Sequence, residues 1–391
     1  MHAQTSPGTI KFQNLTLSQR RIEVEAVTSE GSFPLWFEFD RTLSTSTDAI
    51  AVALSTLCGT KYDQIHFDFP VAQDLAENIS SFTRSSVTNN GNEPSRQPLG
   101  SNITLSFSGG FDSLAAHRLL DGTGQLVSTD FGGWFEREAA FFEKFQPLVV
   151  STNVRRTPNQ QNSFARNHWT FMSIGAILTA EYLESGFHVF GTILGERFAR
   201  KPGRRPVAPL DMLGIKNVPI TDGITELGTA KILAQTDGPL VAESIRSLAG
   251  ETDRKRLLKL ILATVAAEEL GVDVPLPDLP SEWDKPIAFD SSYTTALSTL
   301  YLIAKGKAHL IEPLYLDIPE SAYSIVQGLS LDFPMKVNTD FYSSLPRELA
   351  TQIAPRFLDL GFSPYTESDW VEAKTVRAYL NRLFGITPPR Q

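Results

Sequence analysis

Apolar and polar residues alternate twice near the start of the chain. Ile22, Val24 and Ala26 alternate with Arg21, Glu23 and Glu25, and Leu35, Phe37 and Phe39 do so against Glu38 and Asp40. A period of two marks half-buried strands, and Gly31 between them makes the pair a hairpin. The period then changes. Ile50, Val52, Leu54 and Leu57 fall at helical spacing over Asp48 to Cys58, with Gly59 as a C-terminal stop. Ile65, Phe67 and Phe69 return to strand spacing before Pro70. Residues 1–86 therefore read as a small α+β unit.

Residues 87–102 are rich in Asn, Gly, Pro and Ser and read as a linker. Beyond them, short apolar runs alternate with helical patterns. Strands are predicted at Thr104–Phe107, Gln125–Thr129, Leu148–Thr152 and His188–Ile193. A helix is predicted over Asn167–Ser185, with Phe171, Ile174, Leu178 and Tyr182 as its core face. Such alternation argues for a parallel sheet, so residues 103–248 read as an α/β domain. Residues 249–391 read as mainly helical: Leu257, Leu258, Ile261, Leu262 and Val265 share one face, and Thr294–Ala304 and Leu345–Phe357 repeat the pattern.

Composition narrows the function classes. The chain has 391 residues, 41% hydrophobic and 20% charged, enough for two or three structural units. A net charge of −9 argues against nucleic acid as a partner. Cys58 is the single cysteine and sits in an apolar stretch, so it reads as a buried thiol; no disulfide within the chain and no Cys-rich zinc site can form. The N-terminus lacks the pattern of a signal peptide and no apolar run reaches membrane-spanning length, so a cytoplasmic protein without a membrane segment is expected.

The chemistry concentrates in Ser106-Phe107-Ser108-Gly109-Gly110-Phe111-Asp112-Ser113, between a predicted strand and a predicted helix. A helix N-terminus offers N–H groups and positive dipole to an anion. Glycines let backbone approach a phosphate closely. Ser108 and Ser113 offer hydroxyls, and Asp112 offers a carboxylate that holds a metal or shapes the loop. There is no Gly-Lys-Ser/Thr of a Walker A loop and no Gly-x-Gly-x-x-Gly. No Ser-His-Asp or His-Glu-x-x-His set is present, and His117 and His168 lack such partners.

This Ser-Gly-Gly-x-Asp-Ser turn resembles the signature of the PP-loop ATP pyrophosphatases, which cleave ATP to AMP and pyrophosphate. The resemblance implies a Rossmann-like (HUP-type) parallel sheet, with ATP and Mg²⁺ as cofactors. It assigns Ser106, Ser108, Gly109, Gly110, Phe111, Asp112 and Ser113 to the nucleotide, and Asp112 to Mg²⁺. It extends to Thr129-Asp130-Phe131-Gly132, where these enzymes bind adenine, to Glu136-Arg137-Glu138 opening a helix, to Ala165-Arg166-Asn167, and to Gly191 after a strand.

That order is similar to the 7-cyano-7-deazaguanine synthases over residues 103–235. The chain departs from them in lacking the cysteine cluster that binds zinc, in placing Phe111 where a small aliphatic residue is usual, and in its added flanking parts. The implied reaction is adenylation of a carboxylate or amide oxygen, with a 7-deazapurine among the substrates, followed by attack of a nitrogen nucleophile. Arg166 then faces the activated intermediate, Lys231 is a further catalytic candidate, and Arg197 and Arg200, in the basic run after the fourth strand, neutralise the pyrophosphate or grip an acidic substrate. A small-molecule or carboxylate substrate is expected, with a protein partner at the flanking regions and a homodimer as further expectations. A second reading is a non-catalytic ATP- or AMP-binding partner protein, such as a component of an antiviral system.

Overall fold

The computed structural model describes residues 8–91, 100–133, 140–198, 206–248, 250, 252–279, 285–343 and 345–386. The chain divides into two compact units. A sheet unit comprises residues 1–108, 123–190 and 205–218; a helical unit comprises 109–122, 191–204 and 219–391.

The sheet unit is α/β. Its strands are β1 (Thr9–Leu17), β2 (Arg21–Thr28), β3 (Gly31–Phe39), β4 (Gln64–Phe67), β5 (Ser86–Asn89), β6 (Asn102–Ser106), β7 (Gln125–Asp130), β8 (Leu148–Thr152), β9 (Ser185–Phe190) and β10 (Lys216–Asn217). They form one mixed, mostly parallel sheet of ten strands in the order β10-β9-β6-β7-β8-β3-β2-β1-β4-β5. The expected hairpin is present, with Ile22 opposite Phe37 and Val24 opposite Leu35. All four are buried, as the alternation requires.

β3 then pairs antiparallel with β8, Phe37 opposite Thr152 and Phe39 opposite Val150. Residues 1–86 therefore share a sheet with the strands assigned to the α/β domain, and the compact units follow a different division from the expected boundaries. The expected linker also contains structure: β5 pairs parallel with β4, and β6 begins at Asn102. Helices α1 (Thr47–Ser55) and α2 (Gln73–Thr83) belong to the same unit, with Ala49 to Leu54 of α1 almost without exposed surface. Ser46 caps α1 by accepting from Ala49 N at 3.2 Å.

The predicted helix 167–185 is mostly not one. Residues Trp169–Ser173 form a 3₁₀ turn, only Ile174–Thr179 is α-helical, and β9 starts at Ser185. His168 caps the 3₁₀ turn through Nδ1, and the Ser173 hydroxyl donates to Thr170 O, local bonds that compete with a continuous helix. Ile174 and Leu178 are buried, but Tyr182 is exposed. β9 ends at Phe190, short of the predicted Ile193.

In the helical unit, α3 (Phe111–Leu119) and helix Arg254–Leu270 both pack on helix Glu226–Thr236. Leu114, Ile232, Leu233, Ile261, Leu262 and Val265 meet in this core without exposed surface. Asp253 caps helix Arg254–Leu270 by accepting from Lys255 N, and Gly271 ends it in the left-handed region. Among the described residues no helix is long and apolar enough to cross a membrane.

Candidate functional site

In the sheet unit the motif leaves the carboxyl end of β6 after Ser106. β6 lies between β7 and β9, and all three run parallel. Ser106 is tied to β9: its Oγ lies 2.8 Å from His188 Nε2, and Thr104 Oγ1 lies 2.8 Å from His188 Nδ1. The Thr104 hydroxyl also donates to Phe187 O at 3.2 Å. One proton assignment satisfies all three contacts: Nδ1–H donates to Thr104, and Nε2 accepts from Ser106. The Ser106 proton is thus directed at His188. Burial pushes the pKa of His188 down to about 3, so the ring is neutral at pH 7.

Thr129 packs its hydroxyl against Gly175, where a Cβ would lie 2.3 Å from Oγ1. Asp130 Oδ1 accepts from Gly132 N at 2.7 Å and shapes the turn after β7. The Phe131 ring is 2% exposed and packs edge-on against Phe171 at 5.1 Å, so any adenine contact at this turn falls to backbone. Beside it is a cavity of about 420 Å³, lined among others by Phe171, Arg155, Arg156 and Arg166. Arg166 ends a 3₁₀ turn, is exposed, and donates Nε to Gln160 O at 3.1 Å.

In the helical unit Gly109 has φ +72, a left-handed conformation that favours glycine. Its carbonyl accepts from Ser244 Oγ at 2.7 Å. Gly110 is the extended N-cap of α3, with no side-chain capping bond. Gly191 approaches the first turn so closely that a Cβ would lie 2.5 Å from Ser113 N and 2.7 Å from Asp112 C. Its role is close packing of backbone on backbone. Ser113 is buried and donates Oγ to Gly110 O at 3.0 Å, and Phe111 is buried, so neither side chain presents itself as a nucleotide ligand.

Asp112 presents its side chain, which is 31% exposed. Its Oδ1 accepts from Lys259 Nζ at 3.0 Å; Thr229 Oγ1 lies 3.4 Å away with its single proton donated to Glu226 O at 2.9 Å, and Oδ2 makes no hydrogen bond among the described residues. Lys259 also pairs with Glu226 Oε1 at 3.4 Å, and its Nζ lies 5.4 Å from the centre of the Phe111 ring. Burial opposes the charge of Lys259, but the attraction of Asp112 and Glu226 outweighs it and holds the pKa above the ordinary lysine value.

Lys231, the expected catalytic lysine, stands elsewhere. Its Nζ donates to Gly361 O at 2.7 Å and Met335 O at 3.4 Å and lies 4.3 Å from the centre of the Phe362 ring, and burial pulls its pKa down. It ties helix Glu226–Thr236 to the 335 and 361 turns. Arg200, the side chain of Arg197 and the segment Glu136-Arg137-Glu138 lie outside the described residues.

Sequence reasoning missed Lys259, Glu226, His188, Arg155 and Arg156. Lys259 left a signal: it is the one charge inside Leu257-Leu258-Lys259-Leu260-Ile261-Leu262. A lysine in such a run must find a buried partner. His188 left a weaker one, between Phe187 and Val189 in a strand. No group of three or more metal-ligating side chains is found among the described residues. No protein-family model, curated protein or solved structure matches the chain.

Proposed function

We propose that the chain is an ATP-dependent ligase of the PP-loop type, which adenylates a carboxylate or amide oxygen and passes the product to a nitrogen nucleophile. One observation carries this reading. The Ser-Gly-Gly-x-Asp-Ser segment leaves the carboxyl end of β6, where the strand order reverses. Taking β6 to β10 as strands 1 to 5, the sheet runs 5-4-1-2-3. That is the order of a Rossmann-like sheet, and open α/β sheets bind ligands at this switch point. The order supports the HUP-type fold that the motif implies.

Glycine-rich backbone at the start of α3 suits a pyrophosphate, through N–H groups and helix dipole. Mg²⁺ fits Asp112, because this cation is commonly held by one or two carboxylates plus substrate phosphates, and Oδ2 is available. When bound it supplies neutralisation of the developing pyrophosphate charge. Arg166, on the cavity beside Phe131, is the residue for an anionic substrate. A 7-deazapurine acid is the substrate that the resemblance favours.

The test is mass spectrometry of the purified protein with ATP and Mg²⁺, with and without 7-carboxy-7-deazaguanine and ammonia. AMP and pyrophosphate formed only with the deazapurine support both the reaction and the substrate. AMP formed without it keeps the reaction and removes the substrate. ATP binding without AMP moves the chain to the non-catalytic partner reading.

A further inference from the structure

A lysine with 3% of its side chain exposed, inside an apolar helix face, is costly to keep, and a leucine would pack there without a counter-charge. Lys259 does two things a leucine does not. It fills one lone-pair side of Asp112, donating to Oδ1 at 3.0 Å. It also anchors itself on Glu226, the first residue of helix Glu226–Thr236. The carboxylate of Asp112 is thereby held by one oxygen, while Oδ2 makes no hydrogen bond among the described residues and the side chain is 31% exposed. With both acids ionised, the trio carries one net negative charge, which favours approach of a cation.

We propose that Lys259 is a positioning residue that fixes Asp112 so that Oδ2 alone is offered to the divalent cation accompanying a nucleotide. The inference rests on the ATP reading above. Lys259 does not touch the nucleotide; it acts through Asp112. Glu226 keeps the ammonium in place.

The experiment is calorimetric titration of ATP in Mg²⁺ and in EDTA. It compares wild type, Lys259→Met combined with Glu226→Gln, and Lys259→Arg. The double substitution removes one buried charge of each sign. Wild type is expected to bind ATP more tightly in Mg²⁺ than in EDTA. Residues that orient a metal ligand typically change metal affinity by about 10–100-fold. The double variant is therefore expected to lose about tenfold of the Mg²⁺ advantage, with affinity in EDTA unchanged and cooperative thermal unfolding retained. Lys259→Arg, which keeps the buried charge but moves the donor, is expected to lose several-fold and serves as the measure if the double variant does not fold. An unchanged Mg²⁺ advantage in a folded variant overturns the positioning role and leaves the ATP reading standing. Wild-type protein that binds no ATP in either buffer overturns both.

Discussion

His188 makes the stability of the sheet unit depend on pH in a calculable way. The ring has no exposed surface, and its bonds to Thr104 and Ser106 suit the neutral form. An unfolded histidine takes up a proton near pH 6.5. The folded ring does so only near 3, because burial disfavours the charge. The unfolded state therefore binds the proton first. The contribution is fully present above pH 6.5 and is lost as pH falls from there toward 3. Between pH 8 and pH 5 the gap spans about 1.5 pH units at about 1.4 kcal/mol each, a loss of about 2 kcal/mol. The assay is urea unfolding of wild type and His188→Gln at pH 8, 6.5 and 5. Gln keeps a polar atom for Ser106 and does not titrate. Other titrating groups cancel in the difference between the two proteins. Wild type should lose about 2 kcal/mol more than the variant over this range. Equal losses would refute the neutral buried ring and the proton assignment that points Ser106 at it.

Other predictions follow from single contacts. Gly191→Ala places a Cβ 2.5 Å from Ser113 N, and overpacking against backbone should cost about 1–3 kcal/mol in urea unfolding and weaken ATP binding. Lys231→Met leaves the Gly361 and Met335 carbonyls without their donor; it should lower stability by about 1–3 kcal/mol while leaving kcat for AMP formation unchanged, and a selective loss of kcat would restore Lys231 to the chemistry. Thr366→Ala removes the capping box of helix Glu367–Leu383 and should cost about 1 kcal/mol by thermal or urea unfolding, with no effect on nucleotide binding.

What the sequence revealed followed the range of each interaction. The β2–β3 hairpin and α1 were legible because period and turn residues act locally. The motif was legible because six residues and their strand–turn–helix setting are contiguous. β1 escaped notice: a bulge between Gln13 and Thr16, with Asn14 at φ 59, breaks its alternation. The pairing of β3 with β8 escaped as well, since an edge match across more than a hundred residues leaves no periodic trace. The lysine beside Asp112 was hidden for the same reason: helix Arg254–Leu270 brings Lys259 there, whereas Lys231 turns to the Gly361 and Met335 carbonyls. The resemblance places Phe131 at adenine, while burial against Phe171 puts its ring in the core, a contact between residues forty apart.

The most direct measurement of the central claim is the product balance from ATP and Mg²⁺ with wild type and Asp112→Ala, in the presence of a carboxylate acceptor and ammonia. AMP and pyrophosphate in equal amounts from wild type, with a rate at least about a hundredfold lower in the variant, is the predicted result. Release of ADP and phosphate, or equal AMP formation by both proteins, would contradict it.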